Sequence, residues 1–357
     1  MKPMMRLCMQ ALAGFAAAPA AAATFCAENA LQLQAALATA DGNGQNDQIR
    51  IRSGTHDVSA LDLTYNAAAS EDFDLDISGG WSQFFDNPCG QQLTASPWDT
   101  VLDGGGSRRV MQLFFDSDAG GDLTVRQLTF LGGYVDPGLG AGLSISYLGG
   151  TSGTVSIERN VFALNEADQQ SGLAVQGGAL QKVTNNLFVA NEGGSRAAAY
   201  MATTGLFGVS FTNNTVVGQS HSNSGQPAVQ FGAGRVFIAN NNFWNNDGDD
   251  ADAGAAGDRF VYNNNYESLA LHGGEVLEHN LGIEPEYEGG LFDYTPVRGS
   301  PLVDAGREPE GAAPLWELTD LDLNGSTRVV GAHVDIGAFE NETVFADGFD
   351  PSGPFGL

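Results

Sequence analysis

The sequence predicts an all-β chain wound as a single-stranded, right-handed parallel β-helix, a solenoid with an N-terminal capping helix and an irregular C-terminal cap. Three observations predict it. An apolar-x-x-Asn-x-apolar core recurs as Ile157-Glu-Arg-Asn160-Val-Phe162, Val183-Thr-Asn-Asn186-Leu-Phe188, Phe211-Thr-Asn-Asn214-Thr-Val216, Ile238-Ala-Asn-Asn241-Asn-Phe243 and Val261-Tyr-Asn-Asn264-Asn-Tyr266. A sixth copy, Val125-Arg-Gln-Leu128-Thr-Phe130, has Leu in place of Asn, and successive anchors lie 32, 26, 28, 27 and 23 residues apart. Elsewhere short apolar stretches end in Gly, Asn or Asp, as at 48–54, 73–80, 100–106 and 110–115, which reads as strands closed by turns. Only residues 29–40 carry a convincing helical period, with Leu33, Ala36, Leu37 and Ala40 on one face and Asn29 and Gln32 as a loose capping box.

Taken in order, the chain opens on Lys2 and Arg6, an apolar run from Leu7 to Ala18 and a small-residue stretch ending Ala21-Ala22-Ala23. That is the layout of a secretory signal peptide, so 1–23 is expected to be removed and the mature chain to begin near Thr24. Cys8 leaves with it. Cys26 and Cys89 remain, the right number for one disulfide in an exported protein, although two buried thiols are the alternative. The β-helix with its cap is expected over 24–286, a C-terminal cap over 287–340 and a tail over 341–357.

The repeat has a physical account. Of the chain's 24 asparagines, 16 lie between 160 and 265, so the enrichment belongs to the repeat. Asparagine tolerates left-handed backbone, which suits a sharp turn between short strands. Turns stacked about 4.8 Å apart let the amides bond along the stack. Asn160, Asn186, Asn214, Asn241 and Asn264 are thus expected to form a ladder, with a second polar row at Asn165, Asn191, Gln219 and Asn246. The aromatic row Phe162, Phe188, Phe243 and Tyr266 sits at a fixed phase beside the turn and is expected to stack inside.

Charge limits the partners. With 43 acidic against 15 basic residues the formal net charge is −28, and loss of Lys2 and Arg6 would make it −30. Such a surface repels nucleic acid, anionic lipid and polyanionic sugars. No segment after the signal has the roughly 18 uninterrupted apolar residues of a membrane span.

Three segments carry a resemblance beyond periodicity: ISGGW (77–81) with TVLDGGGSRRV (100–110), the Asn-x-Phe series, and LGIEPEYEGGLFDYTPVRGSPLVDAG (281–306) with TDLDLNGSTRVVGAHVDIGAFE (319–340). Together they resemble the right-handed parallel β-helix proteins of bacterial surfaces described as choice-of-anchor Q domain proteins, related to polymorphic outer-membrane protein repeats. The resemblance implies a fold and an exported, extracellular or outer-surface address in a Gram-negative bacterium, with the periplasm as the alternative, and no reaction. The ending VFADGFDPSGPFGL (344–357) resembles the short F-x-DGF-acid terminus of some exported gammaproteobacterial proteins, a sorting-signal pattern.

Candidate chemistry is sparse. Glu166, Glu192 and Asp247 follow the second polar row at equivalent phases and are candidates for the paired carboxylates of a glycoside hydrolase. A lyase of acidic polymers needs a cation and a base; of Arg159, Lys182, Arg196 and Arg235, Arg196 after Gly193-Gly194 is the best placed. Asp320-Leu-Asp322-Leu-Asn324-Gly325 places oxygen ligands at alternate residues before a turn glycine, as in a Ca²⁺ loop, but Gly331 stands where the bidentate acid belongs. Asp320, Asp322, Asn324 and Asp335 are therefore candidates for an irregular Ca²⁺ site. The run Asp247-Gly-Asp249-Asp250-Ala-Asp252 reads as a solvated acidic loop. The expectation is a monomeric, exported module with a structural, adhesive or glycan-binding role toward neutral glycans or cell-surface components, carrying its specificity in inserts at 133–153, 166–178, 193–208 and 219–234. The alternative is a polysaccharide hydrolase or lyase acting from the side wall.

Overall fold

The computed structural model describes residues 22–67, 73–93, 96–116, 120–148, 153–177, 180–203, 208–223, 225–255, 257–309 and 316–341. The expected signal peptide before Ala22 and the tail after Asn341 lie outside them.

Most coils of the chain add one strand to each of three parallel sheets. The first face runs Ala23–Ala27, Asp47–Arg52, Leu75–Phe84, Leu123–Arg126, Thr154–Glu158, Leu180–Thr184, Gly208–Thr212, Arg235–Ala239, Asp258–Tyr262 and Val276–Glu278, with Asn87–Gln92 paired antiparallel to Leu75–Phe84. The second face holds seven strands, from Gly54–Asp57 to Asn242–Trp244, and the third holds eight, from Thr64–Ala67 to Leu269–Ala270. Four two-residue strands, at Tyr134, Glu166, Glu192 and Ser220, form a short fourth face between the second and third. The chain is thus a parallel β-solenoid, as the repeat predicts.

Its interior is built of columns. Ile49, Ile77, Val125, Ile157, Val183, Phe211, Ile238 and Val261 are register partners down the first face, and all are buried. Phe130, Phe162 and Phe188 stack face to face, with centroids 5.0 and 4.9 Å apart, and Phe243 is likewise buried; Tyr266, the last of the expected row, is only partly buried against the core. No coil encloses this apolar stripe alone; the neighbour above and below completes it.

The asparagine turns divide the work expected of one residue between two. The left-handed position is not the ladder asparagine but the residue before it: Arg159, Asn185, Asn213, Asn240 and Asn263 all have φ between 49° and 56°. That kink turns the next side chain inward. Asn186 Nδ2 donates to Ile157 O and Asn214 Oδ1, while Asn214 Oδ1 also accepts from Asn186 N at 2.9 Å. The pattern repeats from Asn160 through Asn241 and Asn264 and ends on Asn280, a seventh copy in Leu277-Glu-His-Asn280. At the other end Leu128 N donates to Asn160 Oδ1, so the Leu copy ends the ladder without breaking it. The second row does the same through Asn165, Asn191, Gln219 and Asn246.

Helix α1, Ala30–Ala40, buries Leu33, Ala36, Leu37 and Ala40 against the first coil, where the strands would otherwise present an open end. Asn29 Oδ1 accepts from Gln32 N, but Gln32 Oε1 accepts from Glu28 N, one residue ahead of a true capping box. Cys26 and Cys89 form a disulfide, tying the first strand to the hairpin arm of the third.

After the last coil the chain turns back. The described residues of 287–309 and 316–341 form a strap outside the second face, where Leu323, Ala338 and Phe339 pack on Val161, Ala163, Leu187 and Val189, and Phe292 stacks on Trp98 with ring centroids 5.9 Å apart. The left-handed asparagines anchor this strap: Asn185 Nδ2 donates to Leu321 O and Thr319 Oγ1, Asn240 Nδ2 to Arg307 O, and Asn263 Nδ2 to Ala305 O. It explains why Val161–Ala163 and Leu187–Val189 are buried at every residue, whereas Thr154–Glu158 on the first face alternates.

Candidate functional site

Glu166 and Glu192 are direct register partners on the short fourth face, about 4.8 Å apart by strand spacing, and both are exposed. Ser220 holds the next rung, so Asp247, also exposed, lies two rungs beyond Glu192. The row exists, and its two glutamates are exposed on two-residue strands. Arg196 is not part of it: its guanidinium lies over the Tyr200 ring, 5.0 Å from the centroid.

The acidic loop is less solvated than its composition suggests. Asp250 is buried and ends the second polar row, accepting from Asn246 Nδ2 through Oδ1 and from Glu267 N and Ser268 N through Oδ2. Burial raises its pKa, and those hydrogen bonds oppose the rise. Asp252 accepts from Gln230, from Gly254 N and from His272 Nε2; burial pushes its pKa up, but these bonds outweigh burial and leave it lowered.

The four Ca²⁺ candidates separate into two pairs. Asp322 and Asp335 are buried and brought together around the Arg328 guanidinium, while Asp320 and Asn324 are exposed. Asp322 accepts from Ser326 N and Glu340 N, and Asp335 from Asp304 N and Asn341 N, so both carboxylates serve backbone donors of the strap. Among the described residues no three His, Cys, Asp or Glu are grouped to hold a metal ion.

A walled site lies elsewhere. Where Glu317–Leu321 of the strap crosses beside the first face, a cavity of about 380 Å³ opens between them. Arg126, Glu158, Arg159 and Lys182 line its solenoid side, and Glu317 and Asp320 its strap side. Two of the cations are paired: Arg126 with Asp76 and Lys182 with Glu317, each at 2.8 Å. Arg159 is only 8% exposed, and its Nη1 has no hydrogen-bond partner among the described residues. Burial pushes its pKa down, and the nearby charges of Glu158 and Asp322 oppose that.

Beyond the cavity, the outward row Ser156, Lys182, Ser210 continues in register to Phe237 and Phe260. Phe237 sits 5.0 Å from the Trp316 ring, 6.0 Å from Phe260 and 5.5 Å from Tyr262. The first face therefore passes from a polar cavity to an aromatic platform. Sequence alone shows Arg159 and Lys182 as isolated rung cations; register sets Arg126 opposite Glu158 and Lys182 opposite Ser156, so the three cations fall on consecutive coils. The strap that encloses them comes from 135 residues further on, as Lys182 and Glu317 show, and nothing in the sequence around these cations identifies that segment.

No helix among the described residues is long and apolar enough to cross a membrane. Neither a family model nor a curated protein matches the chain.

Proposed function

We propose that this chain is an exported β-solenoid of a bacterial surface, of the choice-of-anchor Q type, that binds neutral glycan or another neutral cell-surface component through its side wall. The observation that carries this reading is the first face, where a walled polar cavity and an aromatic platform lie in one register row. Sugar rings present hydroxyls at their edges and apolar C–H faces, which suits such a succession. The signal-like N-terminus and the Cys26–Cys89 disulfide support an oxidising destination. Against polyanions stands the net charge of −28.

A second reading, a polysaccharide hydrolase, is favoured by one observation: the strand spacing between Glu166 and Glu192 approaches the roughly 5 Å separation of a retaining carboxylate pair. One experiment separates the two. The mature protein is incubated with a panel of polysaccharides, with and without Ca²⁺, and both retention and new reducing or unsaturated ends are measured. Retention without products supports the binding module. Product formation abolished by Glu192→Gln establishes the hydrolase instead.

A further inference from the structure

We infer that Arg159 and Glu158 form the recognition pair of a specific subsite in the first-face cavity, and that its ligand is a hydroxyl-rich, uncharged sugar unit. This rests on the glycan-binding reading and adds to it a place, a pair of residues and a charge rule.

Three features point there. Arg159 has a left-handed backbone, φ 51°, at the position where the coils that follow carry asparagine. Asn185, Asn240 and Asn263 use that side chain to hold the strap, whereas Arg159 lines the cavity with Nη1 buried and unpartnered. A buried donor without an acceptor is destabilising, and a ligand oxygen would satisfy it. Glu158, the adjacent residue, is half-buried and lines the same cavity, and its carboxylate makes no hydrogen bond or ion pair among the described residues. A donor and an acceptor side by side are both satisfied by hydroxyl groups, which donate and accept.

Charge then selects the class. Three cations and three acids line the cavity, and Arg126 and Lys182 already have carboxylate partners in Asp76 and Glu317. What remains unpaired is Arg159 with Glu158 and Asp320, which offers no net attraction to an anion. The strap wall is held in advance: Thr319 accepts from Asn185 and donates to Leu321 O at 2.6 Å. A volume of about 380 Å³ suits one or two sugar units, with the chain continuing toward Phe237 and Phe260.

The test is affinity electrophoresis of the mature protein through gels containing a soluble β-glucan, mannan, xylan or dextran, and through polygalacturonate as the anionic comparison. Wild type, Arg159→Gln, Glu158→Gln and the distant Glu192→Gln are compared, with thermal unfolding recorded for each. The expected result is retardation by a neutral polymer, weakened about 10-fold or more in Arg159→Gln and in Glu158→Gln and retained in Glu192→Gln. The Tm of Arg159→Gln should be equal to or above wild type, because the replaced donor is unpartnered; a merely structural arginine would lower it. Should Arg159→Gln misfold, Glu158→Gln alone decides. Neutral-polymer binding unchanged in both variants would overturn the subsite while leaving glycan binding intact. Tighter binding of polygalacturonate would overturn the ligand class, and retardation by no polymer would remove the glycan-binding reading along with it.

Discussion

Arg328 Nη2 lies 3.4 Å from Glu340 Oε1, and both side chains are 1% exposed, so a guanidinium and a carboxyl face one another in a buried part of the strap. Arg328 also donates to Asp335 O and Gly337 O, which closes the strap on itself. Asp322 and Asp335 add their charge to the same guanidinium, so three carboxyls share one cation. Burial, with Asp335 and Asp322 adding to it and Arg328 opposing, pushes Glu340 up to about 8.

The pH dependence follows from that shift. Between the ordinary glutamate range, about 4.3, and about 8, the folded chain keeps a proton on Glu340 that the unfolded chain releases. The contribution of this group to stability is therefore full below that window and declines as pH rises through it. Guanidinium denaturation of wild type and Glu340→Gln from pH 5 to 8.5 isolates the term from other titrations. Wild type is expected to lose stability relative to the variant as pH rises; a gain relative to the variant would show that Arg328 holds Glu340 ionised throughout.

The same cluster bears on calcium. Asp322 and Asp335 are engaged by strap N–H groups and by a permanent cation, and Asp320 and Asn324 face solvent. Chelator and millimolar Ca²⁺ should then give the same unfolding temperature. A rise of several degrees with Ca²⁺ would show instead that the exposed pair recruits a site.

The solenoid was legible because each coil repeats one physical problem, a turn that must satisfy its neighbours, and Asn160 to Asn264 solve it with one residue type. The division of labour within the turn was not. Arg159, an arginine where the coils that follow carry asparagine at the left-handed position, has no sequence neighbour that signals its conformation or its cavity. Asn280 departs from the repeat, because it lies only 16 residues from Asn264 and has Gly282 where an apolar residue recurs. The strap had one local signal, the unbroken apolar triplets Val161–Ala163 and Leu187–Val189, which a strand solvated on its outer side would not carry. Which segment covers them depends on chain return over more than a hundred residues.

The disulfide closes the N-terminal coils. With a sequence separation of 63 it is worth about 4 kcal/mol on the chain-entropy account. Cys26→Ser with Cys89→Ser, or reduction of the wild type, is expected to lower stability by roughly that amount and to expose α1 and the first strand to protease first. Equal stability of oxidised and reduced protein would place the first coil outside the cooperative unit.

Asn213 and Asn214 offer the sharpest contrast, because adjacent identical residues carry different loads. Asn213 holds the left-handed turn at φ 54°, and its buried Nδ2 has no partner. Asn214 Oδ1 accepts from Asn186 N, and its Nδ2 donates to Val183 O and Asn241 Oδ1. Glycine adopts the left-handed region at no steric cost, so Asn213→Gly should change stability by less than about 1 kcal/mol. Asn214→Gly orphans a buried N–H and a buried carbonyl, a loss of roughly 2–5 kcal/mol, and should lower Tm well below its neighbour's. Chemical denaturation of the two variants side by side reads this difference. Equal losses would mean that backbone freedom, and not the amide ladder, governs the turn.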